Sequence, residues 1–373
     1  MRGHLSLIFG AMACLGCADP YVPLPADATA LDRLVVEQLE SDATPGLQAT
    51  VFADGEVTFS AAWGWADTET ERLADPDTLF TMASVSKLVV AVAVMQIVER
   101  GAVRLDDAID AHLPFAVRHP QHPDTPITVR MLLSHSGGIR DNWDVMNPLY
   151  TEGDSPLALG TFVAGYVEAD GAYFDAARNF TPTAPGEGYE YSNLGNALTA
   201  HLVEVVDGRD FEVYCQAEIF EPLGMNRTSF RLAGLDPEAL AVPTQWDRGW
   251  WPLPHAGWPD YPDGSLRTTT DQLARFMMAT TGDGSHDGAR VLRADSVAEM
   301  LRVQAPTLEP TQGLAYYWWD LDGERVVGHD GGDDGIASEV LYRPAHDDGV
   351  LLVANGELGV DAFQTIQREL LRR

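Results

Sequence analysis

A serine and a lysine stand three residues apart in Ser84-Val85-Ser86-Lys87, at the start of a long apolar run. Residues three apart share one face of a helix, so we expect the Ser84 hydroxyl and the Lys87 amine to meet. A serine hydroxyl is a weak nucleophile until a nearby base takes its proton. We expect burial to lower the pKa of Lys87 and make it that base. Free N–H groups at the helix N-terminus would stabilise the oxyanion that forms when Ser84 attacks a carbonyl.

The composition singles out the same lysine. Of the 24 basic residues, 23 are arginine, and Lys87 is the only lysine in the chain. An arginine guanidinium stays charged, whereas the pKa of a lysine amine responds to its surroundings. The S-x-x-K tetrad alone occurs by chance in many proteins. The single lysine and the apolar run around it therefore give the tetrad its weight as a catalytic motif.

A tyrosine and an asparagine follow in Tyr191-Ser192-Asn193. A phenol beside a cationic lysine ionises more readily and can pass a proton to a leaving group. Asn193 can hydrogen-bond a substrate amide or hold Lys87 in place. The residue types also fit a buried tyrosine and an asparagine that caps a helix starting near Leu194. Both interpretations are open from the sequence alone.

The third motif is Gly328-His329-Asp330-Gly331-Gly332. Glycines let a strand edge approach a ligand closely, and a free N–H there would complete an oxyanion hole. His329 also fits a hydrogen-bonded residue at a strand end. A metal site would draw on His329 with the neighbouring aspartates, but their spacing fits no EF-hand loop. We predict neither a metal nor a cofactor.

Periodic apolar patterns predict the elements that must position these motifs. Residues 29–41 have helical spacing, and 47–53 and 56–63 are predicted strands joined by a turn at Asp54-Gly55. Residues 85–99 are apolar nearly all round, which indicates a buried helix. The chain closes with four predicted strands and a helix, at 314–319, 325–329, 337–342, 350–354 and 361–371.

Strands and helices thus open the chain, helices fill its middle, and closely spaced strands close it. This segregation predicts an α+β fold, with a mainly antiparallel sheet flanked by helices and a helical insertion. We expect a catalytic domain over residues 29–373, its α/β part from about 29–105 and 262–373. The helical part is expected over about 106–261. It ends in a tryptophan-rich stretch, residues 246–261, which we expect to pack a long loop rather than to line the site entrance.

The amino terminus has the features of an export signal. An apolar run from Leu5 to Leu15 follows Arg2, and it is too short to span a bilayer. The run ends in Cys14-Leu15-Gly16-Cys17, which resembles a bacterial lipoprotein signal with cleavage before Cys17 and lipid on its thiol. We assign residues 1–17 to this signal, with Cys17 as the first mature residue. The proline-rich residues 18–28 are a predicted tether.

We therefore expect an exported, periplasmic protein, and a lipid anchor in the outer membrane because Ala18 rather than aspartate follows Cys17. A plain cleaved signal is the alternative. Cys215 is expected to be a small buried residue, and no disulfide framework is predicted. There are 56 acidic and 24 basic residues, for a net charge of −32, so we expect no nucleic-acid partner. The sequence does not determine the oligomeric state.

Taken in order, the three motifs resemble those of penicillin-recognising serine enzymes. Because tyrosine heads the second motif, the chain is most similar to the class C β-lactamase, D,D-peptidase and esterase family. The likeness runs in order from about residue 30 to 355 and includes the segments 101–107, 127–138, 222–225 and 264–269.

The resemblance implies a β-lactamase/transpeptidase-like fold with the active site between the sheet and the helical part. It implies that Ser84 is acylated, that Lys87 and Tyr191 exchange protons, and that Asn193 contacts the substrate. The N–H groups of Ser84 and Gly332 would form the oxyanion hole. His329 and Gly331 belong to the third motif of that site, His329 as a catalytic residue and Gly331 in substrate binding.

One departure from the family bears on the substrate. The third motif is His-Asp-Gly, where β-lactamases typically carry Lys-Thr-Gly, whose lysine and hydroxyl help to hold a substrate carboxylate. Asp330 would repel a carboxylate by about 1 kcal/mol or more at about 4 Å. We therefore expect weak or no β-lactamase activity. D,D-carboxypeptidase activity is disfavoured less firmly, because Asp330 can also point away from the pocket.

The leading hypothesis is a serine esterase or amidase that forms an acyl-enzyme on Ser84 with a small ester, amide or peptide substrate. A second hypothesis is a D,D-carboxypeptidase, D-aminopeptidase or class C-like β-lactamase. A third, from another class, is a lipid-anchored binding protein whose hydrolase site is vestigial.

Overall fold

The computed structural model describes residues 20–373, so Cys17 and the predicted signal lie outside the described residues. Ten α-helices occur in this part of the chain. They are α1 (Ala30–Ser41), α2 (Ser86–Glu99), α3 (Val129–Leu133), α4 (Trp143–Met146), α5 (Leu159–Val167), α6 (Asn193–Asp207), α7 (Phe211–Cys215), α8 (Thr270–Thr281), α9 (Ala294–Leu301) and α10 (Val360–Leu370). None of these helices has the length and apolar composition needed to cross a bilayer.

Seven strands form one antiparallel sheet. They are β1 (Gly46–Ala53), β2 (Glu56–Asp67), β3 (Arg72–Leu73), β4 (Tyr317–Leu321), β5 (Glu324–Asp333), β6 (Ile336–Arg343) and β7 (Asp348–Ala354). Their order across the sheet is β4-β5-β6-β7-β1-β2-β3, so strands from the two ends of the chain meet where β7 pairs with β1. This arrangement confirms the α+β fold predicted from the order of the elements.

Short strand pairs stabilise the loops outside this sheet. Phe80–Thr81 pairs with Arg267–Thr268, Thr151–Glu152 with Ala256–Gly257, Thr244–Trp246 with Trp250–Pro252, and Ser285–His286 with Ala289–Arg290. The first of these pairs joins the segment just before Ser84 to the segment just before α8.

The predicted turn between β1 and β2 is present. Asp54 has φ 51° and Gly55 has φ 78°, so both central residues adopt the left-handed conformation that an Asp-Gly hairpin turn requires. The strand predicted over 314–319 instead begins at Tyr317. Ala315 has φ 62°, and the N–H groups of Leu314 and Ala315 bond to Met300 and Leu133 rather than to a strand.

The two faces of the sheet are covered by different apolar layers. Leu47 and Ala49 of β1 pack in a cluster with α1 and α10, whereas Phe52 belongs to the larger cluster that contains α2. All residues of α2 from Ser86 to Ile97 are buried, which confirms the buried helix predicted over 85–99. Helix α2 is therefore enclosed on every side, and its first turn is held rigidly beside the sheet.

Candidate active site

Ser84 lies in a single 3₁₀ turn, Ala83–Val85, that leads directly into α2. Ala83 has φ 44°, a left-handed conformation that is costly for alanine and that only well-anchored neighbours can hold. The anchors are at Met82: its N–H donates to Leu266 O at 2.8 Å, and its carbonyl accepts from Ser338 Oγ at 2.7 Å. The turn therefore presents Ser84 in a fixed orientation.

Lys87 meets Ser84 as the spacing predicts. Its Nζ donates to Ser84 Oγ at 3.0 Å and to the backbone carbonyl of Asp263 at 2.8 Å. The same nitrogen lies 3.9 Å from Asp263 Oδ2, and the Lys87 side chain has no solvent exposure. The ammonium group thus lies between the nucleophile and a buried carboxylate.

The expected lowering of the Lys87 pKa is wrong. Burial is the largest single influence and does lower this pKa, but the Tyr191 oxygen and the Asp263 carboxylate together outweigh it. The pKa of Lys87 is raised above its ordinary value. The apolar run around Lys87 indicates that the lysine is desolvated. It does not indicate which acidic residues, far away in sequence, lie beside the amine. In the free enzyme Lys87 is consequently a cation that donates to Ser84 Oγ.

Within the second motif, Ser192 has a structural role, whereas Tyr191 and Asn193 lie at the site. Ser192, not Asn193, caps α6, because its Oγ accepts from the Gly195 N–H at 2.9 Å. Tyr191 is 37% exposed, and its ring centroid lies 5.1 Å from Lys87 Nζ. Asn193 Oδ1 is buried and has no hydrogen-bond partner among residues 20–373. The buried-tyrosine and asparagine-cap interpretations are therefore wrong, and both side chains are free for substrate or Lys87.

The third motif lies along the second half of β5. His329 is buried, and its ring centroid is 6.3 Å from that of Tyr191. Burial and the charge of Lys87 lower the pKa of His329 to about 4, so it is neutral at physiological pH. A Cβ on Gly331 would lie 2.9 Å from Ser84 N and 2.6 Å from Met82 O. Only glycine therefore lets β5 approach the Ala83–Val85 turn, which carries Ser84, this closely.

Gly332 and Asp330 occupy the alternate positions of the same strand. Gly332 is exposed, and a Cβ there would meet no atom within 4 Å. The Asp330 side chain is 66% exposed and accepts from Tyr317 Oη at 2.5 Å. Its cross-strand partner Glu339 bonds to Gln367 of α10, on the face of the sheet away from Ser84. The predicted repulsion of a substrate carboxylate by Asp330 is therefore wrong.

Comparisons with known proteins agree with this geometry. The family model described as Beta-lactamase matches residues 31–372. Penicillin-binding protein 4 of Amycolatopsis lactamdurans is 30% identical over 88% of this chain and 85% of its own length. The chain belongs to the Beta-lactamase family.

Two further proteins are similar to this chain. Protein flp of Staphylococcus aureus is 23% identical over 87% of the chain, which spans 62% of the length of that relative. Among solved structures, the D-amino acid amidase of Ochrobactrum anthropi SV3 superimposes with a TM-score of 0.72 at 21% identity. It covers 92% of this chain and 99% of its own. That likeness confirms the fold.

Within this family site, two polar residues support the second motif. The Asp141 carboxylate accepts from the Asn193 and Leu194 N–H groups, both at 3.1 Å, and so holds the start of α6. His135 Nδ1 accepts from Ser192 N at 3.2 Å, and its ring centroid lies 4.3 Å from that of Tyr191. Asp141 was not predicted, because a carboxylate that accepts hydrogen bonds from backbone N–H groups leaves no sequence pattern.

Asp263 was also missed by the sequence motifs. Its Oδ1 accepts from Trp258 Nε1 at 2.6 Å, and Trp258 stacks on Tyr150 with ring centroids 4.9 Å apart. Trp258 is buried, as the packing interpretation predicts, but Trp246 and Trp251 are exposed. The signal that could have drawn attention to Asp263 is its position directly before the 264–269 segment that resembles the family.

Proposed function

We propose that this protein is a serine hydrolase that forms an acyl-enzyme on Ser84 while cleaving an ester or amide bond. The observation that carries the proposal is the 3.0 Å hydrogen bond between buried Lys87 Nζ and Ser84 Oγ. Asp263 and Tyr191 also lie against the Lys87 amine, and a buried lysine placed beside a serine in this way is the arrangement that nucleophilic catalysis requires.

In the first step, Ser84 Oγ attacks the substrate carbonyl carbon and the Oγ–H bond breaks. The proton passes to the Lys87–Tyr191 pair. Before this transfer the pair lacks one proton, so it is either an ammonium beside a phenolate or an amine beside a phenol. The N–H groups of Ser84 and Gly332 would donate to the carbonyl oxygen as it becomes an oxyanion.

Collapse of the tetrahedral intermediate then breaks the bond to the leaving group. Tyr191 returns the proton to the departing alcohol or amine, which leaves Ser84 esterified. In the second half of the cycle, water attacks the ester carbonyl carbon and gives one proton to the same pair. The bond between the acyl carbon and Ser84 Oγ then breaks, the pair returns a proton to Ser84 Oγ, and the carboxylic acid product leaves. His329 is neutral, so it adds no cation to compete with Lys87, and its ring lies beside that of Tyr191.

A second candidate is a hydrolase of D-amino-acid amides and peptides, or of β-lactams. The 30% identity to a penicillin-binding protein and the fold of a D-amino acid amidase favour this substrate class. Because Asp330 faces away from the site, its charge would not repel a substrate carboxylate bound beside Ser84. This candidate shares the Ser84 chemistry and differs only in the substrate.

Parallel labelling with a fluorophosphonate and a fluorescent penicillin tests both candidates. We expect the fluorophosphonate to modify Ser84, located by mass spectrometry, and the Ser84→Ala variant to lose both labelling and ester hydrolysis. Ser285→Ala, in a hairpin distant from the site, is the matched control and should label like the parent. Penicillin labelling of Ser84 would favour the second candidate. No labelling by either probe would support the vestigial binding protein instead.

We propose in addition that the protein is exported to the periplasm and anchored through lipid on Cys17, as the Cys14–Cys17 segment suggests. Metabolic labelling with an alkyne fatty acid in a bacterial host tests this proposal. The parent chain should be labelled and the Cys17→Ser variant should not. A soluble, unlabelled parent would indicate the plain cleaved signal.

A further inference from the structure

The first residues that the structure describes are packed onto the domain. Val22 is buried in the apolar cluster that contains α1 and α10. Its N–H donates to Glu40 Oε1 at 3.1 Å, and the Tyr21 carbonyl accepts from Trp65 Nε1 at 3.1 Å. The chain is therefore held to the domain from Tyr21 onward, and Tyr21 comes only four residues after Cys17.

This short spacing limits how far a lipid on Cys17 can lie from the domain. An extended chain spans at most about 3.6 Å per residue, so four residues reach about 14 Å. A lipid that enters a bilayer from Cys17 would therefore hold the surface around Tyr21 close to the headgroups. The fold then determines which side chains meet the bilayer.

A tryptophan hairpin, residues 244–252, lies at the same end of the sheet. Trp250 Nε1 donates to Ala43 O at 3.0 Å, and the ring packs at the edge of the apolar cluster of α1 and α10. The carbonyl of Pro45, two residues after Ala43, accepts from the N–H of Trp65 at 2.9 Å. Since Trp65 is also the residue that bonds to Tyr21, the hairpin adjoins the point where the chain enters the domain.

The exposed side chains around this point are aromatic and apolar. Tyr21 is 65% exposed, and Leu73, the cross-strand partner of Trp65, is 55% exposed. In the tryptophan hairpin, Trp251 is 44% and Trp246 is 37% exposed. Single exposed apolar residues are ordinary on a protein surface, whereas a group of them marks an interaction surface.

The chemistry of this surface suits the headgroup region of a bilayer. Tryptophan and tyrosine concentrate there, because the ring leaves water while its N–H or O–H still finds polar partners. At the tip of the hairpin, Asp247 and Arg248 form an ion pair at 3.3 Å, so the tip adds no net charge. The whole chain has a net charge of −32, so attraction to anionic lipid cannot hold it to a membrane. Insertion of aromatic rings is the contact that this surface offers.

We propose that the tryptophan hairpin and Tyr21 dock on the bilayer surface to which Cys17 is anchored. This proposal rests on the lipid anchor proposed above and not on the acylation of Ser84. The base of the hairpin packs on the turn between β5 and β6, since a Cβ on Gly335 would lie 2.5 Å from Thr244 N. Docking therefore fixes the orientation of the domain, with the β5–β6 turn on the side of the bilayer.

Quenching by brominated lipid tests the proposal on the full-length, lipidated chain in phosphatidylcholine vesicles. Dibromo-phosphatidylcholine quenches tryptophans that lie in the bilayer, and every variant stays anchored through Cys17. We expect the parent to be quenched and the double variant Trp246→Phe/Trp251→Phe to lose most of that quenching. Trp319→Phe is the matched control and should be quenched like the parent. Trp319 packs against the same apolar cluster but pairs with Val326, at the opposite end of β5.

The composition of the vesicles separates aromatic insertion from attraction between charges. Vesicles that mix phosphatidylcholine with phosphatidylglycerol should give no more quenching than phosphatidylcholine alone, because an acidic chain gains nothing from anionic lipid. Stronger quenching in the anionic vesicles would indicate electrostatic attachment and would overturn docking by aromatic insertion.

The remaining outcomes distinguish docking from the anchor. If the alkyne fatty acid labels Cys17 but the parent is not quenched, or the double variant is quenched equally, docking fails and the anchor stands. Emission that responds to soluble peptidoglycan fragments and not to brominated lipid would assign the tryptophan hairpin to a glycan, and would also overturn docking. If Cys17 is not labelled, the anchor fails and docking fails with it. The acyl-enzyme proposal stands or falls separately, on the labelling of Ser84.

Discussion

The two faces of the central sheet are packed by helices of different character. Helix α10 is amphipathic, with Phe363 and Ile366 against the sheet and its other side in water. Helix α2 is buried on every side and carries Lys87 in its first turn. An amphipathic helix needs only one apolar partner, whereas α2 lies among α6, α7 and α9, within the apolar cluster on the side of the sheet that α8 covers.

This difference assigns the chemistry to one face. Complete enclosure of α2 lets a lysine be held without solvent beside Ser84, because the surrounding layers supply the partners that water would otherwise supply. The α10 face has no such enclosure. There the Asp330 side chain is largely exposed to solvent, and Glu339 accepts a hydrogen bond from Gln367 of α10. We therefore expect both faces to contribute to stability and only the face near α2 to carry the proposed catalysis.

The largest effect is expected at Lys87. Lys87→Arg keeps the positive charge but removes the ability to take part in proton exchange, since a guanidinium stays protonated. Acylation of Ser84 should slow by about 1,000-fold, within the range for general acid–base catalysis. The measurement is the burst of 4-nitrophenol from an activated ester. A burst within 10-fold of the parent would contradict a proton-transfer role for Lys87.

The next largest loss of activity is expected where β5 contacts the Ala83–Val85 turn that carries Ser84. Gly331→Ala would place a Cβ 2.5 Å from Ser338 Oγ and 2.9 Å from Ser84 N, so the turn must move. We expect kcat/KM to fall by about 100-fold, as displacements of about 1 Å do at positioned sites. Gly332→Ala meets no atom within 4 Å and is the matched comparison, with a smaller loss. Equal losses of kcat/KM in the two variants would indicate that the conformational freedom of glycine, and not the close contact at Gly331, is required.

The pH dependence should move when Asp263 is changed. Asp263 raises the pKa of Lys87, so its removal in Asp263→Asn lowers that pKa, and the catalytic pair loses its proton at lower pH. The acidic limb of kcat/KM should therefore shift to lower pH, by about one unit or more, since charges about 4 Å apart interact strongly. The shift should be seen above pH 6, where Asp263 is ionised. A shift to higher pH would contradict the sign of this coupling.

The smallest effect on catalysis is expected on the opposite face. Ile366→Ala removes a fully buried side chain of α10 and should lower the free energy of unfolding by about 2–5 kcal/mol. Below the unfolding temperature, kcat/KM for the same ester should remain within about 2-fold of the parent, because Ile366 belongs to the apolar cluster on the α10 face, which includes no residue of α2. Denaturant unfolding and steady-state kinetics on one preparation measure both. A large kinetic loss would show that the two faces are coupled.

Much of the fold was predictable from local patterns. The helical spacing of α1, the Asp54-Gly55 turn and the all-round apolar α2 are each determined by residues close together in sequence. The start of β4 was misplaced because Leu314 and Ala315 bond to Met300 and Leu133, which are distant in sequence. Local patterns specify elements, whereas their ends depend on which distant partner takes the backbone hydrogen bonds.

The sequence by itself determined the pairing of Ser84 with Lys87 and the order of the three motifs, since the i, i+3 spacing of Ser84 and Lys87 is a local property. Only the tertiary structure decided what surrounds them. It turned Asp330 away, because strand alternation and the pairing with β6 set which face each side chain occupies. It brought Asp263 to Lys87 across 176 residues and so raised the pKa that burial alone would lower. Electrostatic interactions act through space, so the charge state of the site follows from the fold and not from the motif.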